Sequence, residues 1–334
     1  MDSNRIINRI LAISFTFILF VCEVRAGDLP IALTHIDTIS VYCGKIKADQ
    51  IQVDFLSSNS TLFLSTALWI PGSINGPEDS MKYVRELLVC FNEKINGKNN
   101  IVILKDSKDI DAIIKENKVG IILTIEGGEP IEDPNNIRKI KNLGIRGISL
   151  TWNRDNSLAT AHNTKKTTGL TKNGILAIEK LNESGIMIDV SHASDKTIDD
   201  ILKISTAPIY ASHSNSREVC KNSRNLTDEQ IKKIAKNGGI IGINFHSPHL
   251  SCSKKGTLND IYLQIEHIRD IAGVEAIAIG SDFDGNIISP KGMNGIKDID
   301  LLTKKLREEN WTEEEIECIL YKNFLNYFKK VVRD

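Results

Sequence analysis

Short apolar runs alternate with amphipathic stretches along most of this chain. Val84, Leu87, Leu88 and Phe91 recur at helical spacing and predict a helix over residues 78–94. The pattern then gives a strand at 101–104, a helix at 109–116, a strand at 119–125, a helix at 135–143 and a strand at 147–151. Thr171 opens a helix on which Ile175, Ile178 and Leu181 share one face, and Gly185 ends it as a glycine C-cap does. A strand over 186–190 follows at once. Beyond it come a helix at 195–204, a strand at 209–212, a helix at 228–236, a strand at 240–245, a helix at 260–272 and a strand at 276–281. The last helix begins at a capping box of Thr312 and Glu315, and Ile316, Ile319, Leu320, Phe324 and Phe328 form its buried stripe. The region 50–71 is apolar and β-like, and reads as an extra hairpin over the main fold.

The predicted strands are continuously apolar, which indicates burial on both faces. Repeated strand–helix units with such strands mean a parallel sheet. About eight units suit a (β/α)8 TIM barrel. A doubly wound open sheet is the rival arrangement. The barrel is favoured because residues from first, middle and last strands can then meet at one mouth. No internal repeat, low-complexity linker or second domain is evident, so residues 27–334 are expected to form one domain.

Composition narrows the picture further. Hydrophobic residues make up 41% and charged residues 25%, as in an ordinary globular protein. The formal net charge of −1 gives no pull toward nucleic acid or an anionic membrane surface. Arg5 and Arg9, the apolar run from Ile10 to Val21 and the small-residue site at Val24-Arg25-Ala26 read as a secretory signal peptide over 1–26. The expected location is therefore the periplasm or the extracellular medium. The C-terminus carries no hydrophobic tail, hence no glycolipid anchor signal. After residue 26 the cysteines are Cys43, Cys90, Cys220, Cys252 and Cys318. Export allows disulfides, the odd number requires a free thiol or an intermolecular bridge, and the lack of Cys-x-x-Cys speaks against a zinc ribbon or a thioredoxin-like site.

The candidate chemistry lies at the strand ends. His35-Ile36-Asp37 stands near the start, Glu126 closes one strand, His192 and His213 follow two consecutive strands, and Asp282 follows the last. Burying an imidazole or carboxylate unsatisfied is costly, so several such residues at strand ends point to one metal site. A His-x-Asp on extended chain sends both side chains to one side, so His35 and Asp37 can share an ion. His192 and His213 can hold a second, and Glu126 has two oxygens with which to bridge. Imidazole and carboxylate together suit zinc or a similar metal. Two ions about 3.5 Å apart can share a hydroxide and polarise a carbonyl, with Asp282 carrying the proton to a leaving amine. Of the other histidines, His249 and His267 read as structural or surface residues, and His162 and His246 as the exceptions to watch. No nucleophile elbow, dinucleotide fingerprint or P-loop is present.

Further blocks complete the picture: Glu126-Gly127-Gly128, Leu150-Thr151-Trp152-Asn153, Gly169-Leu170-Thr171 with Asn173-Gly174, and Ile188-Asp189-Val190-Ser191-His192. Ser212-His213-Ser214, Ser223-Arg224-Asn225, Asp282-Phe283-Asp284-Gly285 and Asn310-Trp311-Thr312 follow in order. On these blocks the chain resembles the membrane dipeptidase (renal dipeptidase) family, peptidase family M19, of the amidohydrolase superfamily, from about His35 to the C-terminus. The resemblance implies a (β/α)8 barrel of the metal-dependent hydrolase type, a zinc-dependent dipeptidase with two Zn2+ per subunit. His35 and Asp37 would bind one ion, His192 and His213 the other, and Glu126 both. Asp282 would serve the bridging water, and Arg224 would take the free carboxylate of a dipeptide. It also implies a Cys220–Cys252 disulfide. Trp152 stands where animal members carry a histidine, and its only donor is the indole N–H. It is therefore a substrate-facing residue of altered chemistry. Arg154 replaces a cysteine of a second family disulfide, which leaves Cys43 and Cys90 without an assignment and gives no support to a disulfide-linked dimer; a homodimer of another kind stays open. The partner expected is a small dipeptide, not nucleic acid. Two other functions fit the same residues. One is a related binuclear hydrolase of another amide, a lactone or a deaminase substrate. The other is a metal-stabilised binding protein without turnover.

Overall fold

In the computed structural model, residues 29–51, 61–166 and 168–333 are described. The expected leader at 1–26 lies outside them. Parallel strands run as β1 (Ile31–Ile36), β2 (Leu62–Trp69), β3 (Ile101–Ile103), β4 (Val119–Glu126), β5 (Ile145–Ser149), β6 (Met187–Asp189), β7 (Ile241–Ile243) and β8 (Ile277–Ile279). Hydrogen-bonded neighbours follow the order β6-β5-β4-β2-β1-β8-β7, and β3 pairs beside the start of β4. The gap between β6 and β7 is filled by a single pair of residues. Tyr210 bridges to Asp189, and Ala211 bridges to Ile241. The ring therefore closes, as the (β/α)8 expectation required, with Tyr210–Ala211 as its shortest stave.

Two glycines explain how the closure is achieved. A Cβ on Gly242 would lie 2.1 Å from the Ser212 carbonyl oxygen, and one on Gly280 would lie 2.0 Å from it. The backbone after the shortest stave thus crosses a space that only glycine leaves open.

The core has two layers. Leu33, Leu64, Ile121, Ile125 and Ile188 pack outward against the surrounding helices. Ala32, Phe63, Ile122, Met187, Tyr210 and Ala278 fill the barrel, whose N-terminal end is plugged by Phe324, Leu325 and Phe328 of the helix Asn323–Val331. That plug is pinned by Asn323, whose amide donates to the carbonyls of Val274 and Ile277, each at 2.8 Å.

Two expectations need correction. The region 50–71 is no hairpin: residues 52–60 lie outside the described residues, and Leu62–Trp69 is a central stave paired in parallel with β1 and β4. Its near-complete burial is what its continuous apolar run encodes. In the helix Lys172–Ser184, Ile175 is 40% exposed, whereas Ala177, Ile178 and Leu181 are buried. Gly174 lies so close to the Leu158 carbonyl that a Cβ would stand 2.1 Å from it, and this contact turns Ile175 outward. The helix Asp195–Ile204, the helix Asp228–Lys236 and the Thr312–Glu315 capping box match the sequence pattern.

Candidate metal centre

The C-terminal ends of the staves carry the site. Along β4 the side chains alternate, with Ile122 facing the barrel interior and Ile121, Leu123 and Ile125 facing the helices. Glu126 shares the parity of Ile122 and so points into the mouth. His35 gets there differently. The β1–β2 register slips between Leu33 and Ile36, opposite Leu64 and Thr66. The bulge lets Thr34 and His35 both turn inward, and re-aiming a side chain is what bulges at barrel rims do. Thr34 Oγ donates to the Ile279 carbonyl at 3.1 Å. His192 and Asp282 sit just past β6 and β8 with φ of 67° and 64°, left-handed conformations that are unfavourable for such residues.

The predicted ligands come together in two overlapping groups. In the first, His35 Nε2 lies 3.5 Å from Asp37 Oδ2, 3.9 Å from Glu126 Oε1 and 3.9 Å from Asp282 Oδ1. In the second, Glu126 Oε1 lies 2.9 Å from His192 Nε2 and 3.3 Å from His213 Nε2, and those nitrogens are 3.0 Å apart. Glu126 is 5% exposed and His213 1%. Asp282 therefore stands among the donors of the first group, closer in than a residue serving only a water would need to be.

The ring orientations are fixed from behind. Asn153 Oδ1 lies 2.8 Å from His192 Nδ1, so that nitrogen carries the hydrogen and Nε2 keeps its lone pair. For His213, Ser212 Oγ donates to Asp189 Oδ2 at 2.5 Å and accepts from His213 Nδ1 at 2.6 Å. Its Nε2 likewise keeps a lone pair. Asp189 Oδ1 accepts from the Ser191 and Ser212 amides, both at 2.9 Å. Its oxygens are thus committed, which makes Asp189 a support of His213 although it lies near His35 as well.

Three electron-rich atoms, Glu126 Oε1 and the two Nε2, thus face one another with no hydrogen between the imidazoles. His35 Nε2 is buried and has no hydrogen-bond partner. A Cβ on Gly285 would lie 2.6 Å from both Asp37 Oδ2 and Asp282 Oδ1, so the space between those carboxylates depends on a glycine. The donor set and its geometry fit two borderline divalent cations such as zinc.

The electrostatics agree with a site built for positive charge. Burial pushes the Glu126 carboxyl up to about 8, helped by Asp37 and Asp282 and opposed by His35. Burial likewise raises Asp282 to about 7, with Asp37 adding to the effect. For His35, burial disfavours the charged ring, but the nearby carboxylates of Asp37, Glu126 and Asp282 together outweigh it and raise it to about 10. Burial, with Arg224 nearby, pushes His192 and His213 well below the usual imidazole range and keeps both neutral, as ligands must be.

Arg224 is 4% exposed. Its Nη1 donates to Ser214 Oγ at 3.0 Å, while Nε and Nη2 are buried without partners. Trp152 lines the cavity above the site, edge-on to Trp69 at 5.0 Å between rings and 6.3 Å from His192. The cavity has a volume of about 550 Å³ and also takes in His246 and His249. His246 is thus one of the two expected exceptions; His249 lines the cavity too, contrary to its surface reading, because the turn Ser247–Leu250 folds it back to within 4.7 Å of the His246 ring. His162 Nε2 lies 3.0 Å from Asn153 Oδ1 and stands behind His192. His267 pairs with Asp228 at 2.8 Å, away from the site.

The cysteines pair as Cys220–Cys252, as expected, and Cys43–Cys90, for which the sequence offers no assignment; Cys318 is free. Arg154 bonds to Glu129 Oε1 at 3.1 Å and to the Ile74 carbonyl at 2.6 Å, tying two mouth loops together by charge and hydrogen bonds. Sequence reasoning misses Asn153, Ser212, Asp189 and Gly285 as site residues. The available signal is polarity inside apolar strands, as at Asp189 and Ser212.

Fold and site together define a (β/α)8 barrel that carries a candidate metal centre at its C-terminal mouth. The chain belongs to the membrane dipeptidase family, peptidase family M19, whose profile matches residues 28–333. Human Dipeptidase 3 is 31% identical over 228 residues, which is 66% of this chain and 47% of that protein, and Macaca fascicularis Dipeptidase 3 is 31% identical over 227 residues. The alignment thus spans about half the length of these curated relatives. The structure of a metallopeptidase called dipeptidase AC superposes with a TM-score of 0.83 at 20% identity, covering 92% of this chain and 99% of that one. A metallopeptidase from Rhodobacter sphaeroides, liganded with a phosphinate mimic of the dipeptide L-Ala-D-Ala, gives 0.80 at 20% identity over 91% and 99%. Among the described residues no helix is long and apolar enough to cross a membrane.

Proposed function

We propose that this chain is a zinc-dependent dipeptidase that hydrolyses the peptide bond of dipeptides with both termini free. His35 and Asp37 would hold one Zn2+, His192 and His213 the other, and Glu126 would contribute to both. Bound there, the two ions would supply an activated water and polarise the scissile carbonyl. The observation that carries the reading is the pairing of this donor set with a buried guanidinium that lacks two of its partners.

The chain's own residues account for the rest. Arg224 offers Nε and Nη2, a fork suited to a carboxylate, and a buried guanidinium without an anion is unfavourable until one arrives. That anion is the free carboxylate of the substrate. Asp282, whose carboxylate stands 3.9 Å from His35 Nε2, would take a proton from the attacking water and pass it to the departing amine. Asn244 Nδ2 donates to Asp282 Oδ2 at 3.0 Å and holds that carboxyl in place. Trp152 and Trp69 form an apolar wall that orients the substrate and keeps bulk water from the reacting carbonyl. Residues 27–334 act as one barrel domain behind a leader at 1–26. The two disulfides favour an oxidising compartment, the periplasm or the exterior.

The test compares Ala-Ala with its C-terminal amide. Hydrolysis of Ala-Ala that stops with a chelator and returns with zinc, alongside a severely impaired amide, supports the reading. Equal turnover of both would remove Arg224 from its role, and stable dipeptides under all conditions would remove the activity itself.

A further inference from the structure

The cavity wall holds two cations that the proposed reaction does not use. The helix Thr38–Tyr42 follows Asp37 directly and leads into a strap over residues 43–50. Both ends of that strap are fastened. At one end Cys43 is bridged to Cys90, and the Lys45 and Ile46 amides donate to the Ser40 carbonyl at 2.8 and 3.2 Å. At the other end Gln50 is clamped. Its amide donates to Asp284 Oδ1 at 2.8 Å, its Oε1 accepts from the Asp284 amide at 2.7 Å, and its Nε2 donates to Ser289 Oγ at 2.6 Å. Between these anchors Lys45 and Lys47 line the mouth of the cavity.

Neither ammonium has a carboxylate partner among the described residues; Lys45 Nζ stands 5.6 Å from the Tyr83 ring centroid. The acidic residues that line the cavity, Asp37, Glu126 and Asp282, all converge on the metal centre. With that centre loaded, their charge is spent and the field of the two lysines is uncompensated. An anion entering the cavity is attracted to the strap.

Geometry decides which part of the substrate meets it. Arg224 lies on the loop after the Tyr210–Ala211 stave, and the strap lies across the mouth beside β1. A dipeptide with its carboxylate at Arg224 places its amino-terminal residue on the Asp37 side, under the strap. We infer that Lys45 and Lys47 select dipeptides whose amino-terminal residue bears an acidic side chain. This inference rests on the dipeptidase reading.

The experiment measures kcat/KM for Asp-Ala against Asn-Ala, and for Ala-Asp against Ala-Asn, using the full chain supplied with zinc. The same ratios are measured for the Lys45→Gln/Lys47→Gln and Lys45→Glu/Lys47→Glu pairs; both positions are exposed, so the fold should tolerate them. The wild-type chain is expected to favour Asp-Ala over Asn-Ala by roughly fivefold, the scale of exposed ion pairs. Added salt should shrink the preference, the Gln pair should abolish it, and the Glu pair should invert it. An Asp-Ala to Asn-Ala ratio that is the same in all three proteins overturns the inference, as does a response confined to Ala-Asp. A zinc-loaded chain that cleaves none of the four peptides removes the dipeptidase reading and this inference with it.

Discussion

Asn153 does more for the site than its exposed position suggests. Its Oδ1 accepts from both His192 Nδ1 and His162 Nε2, so one amide fixes the tautomer of the proposed ligand His192. Partners of this kind typically contribute tenfold to a hundredfold to metal affinity. Replacing Asn153 with Leu should weaken zinc binding by about that factor in competition with a chromophoric chelator. An unchanged affinity would show that His192 is oriented without it. The proposed ligands are legible in the sequence because they end apolar runs. How His35 reaches the mouth is not, since strict alternation would aim Thr34 inward and His35 outward. The bulge that resolves this comes from pairing with β2, which is a tertiary fact. Trp152 is visible by type, but its edge-on contact with Trp69 depends on the loop after β5 meeting the end of β2.

At the scale of elements, helices with strong caps are legible and short staves are not. The helix Asp195–Ile204 carries its own start signal in Ser194, whose side chain accepts from the Thr197 amide. Tyr210–Ala211, by contrast, is a stave of two bridge residues; its apolar run is longer than its pairing, because the chain bends away at Ser212 to build the site. The stave β2 is misread because its apolar run, set off by Ser57-Ser58-Asn59-Ser60, looks like one arm of a hairpin, and only its parallel pairing with β1 and β4 shows it to be a stave. The terminal helix is a plug whose contribution is measurable. Phe328 is fully buried against the barrel floor, so Phe328→Ala should destabilise the fold by about 3–5 kcal/mol in denaturant unfolding. A loss below about 1 kcal/mol would mean that the barrel end is not sealed by this helix.

The whole molecule couples its metal site to its stability. Glu126, Asp282 and His35 all titrate above their ordinary ranges, to about 8, 7 and 10. The stability such groups contribute to the metal-free fold is fully present below their unfolded values and is lost as pH rises through the folded ones. From about pH 7 to about pH 9 the metal-free protein should therefore lose Tm. Metal ions displace those protons, so the metal-loaded protein should not follow, and the Tm gap between the two forms should widen as pH rises. A gap that narrows over that range would contradict the assignment of His35 and Glu126 as ligands.

The most direct test of the central claim is a zinc titration of the metal-free chain, following Ala-Ala hydrolysis and bound metal together. The account predicts that activity is absent without metal and reaches its plateau as the second equivalent binds. Full activity at one equivalent, or two equivalents bound with no hydrolysis, would contradict it.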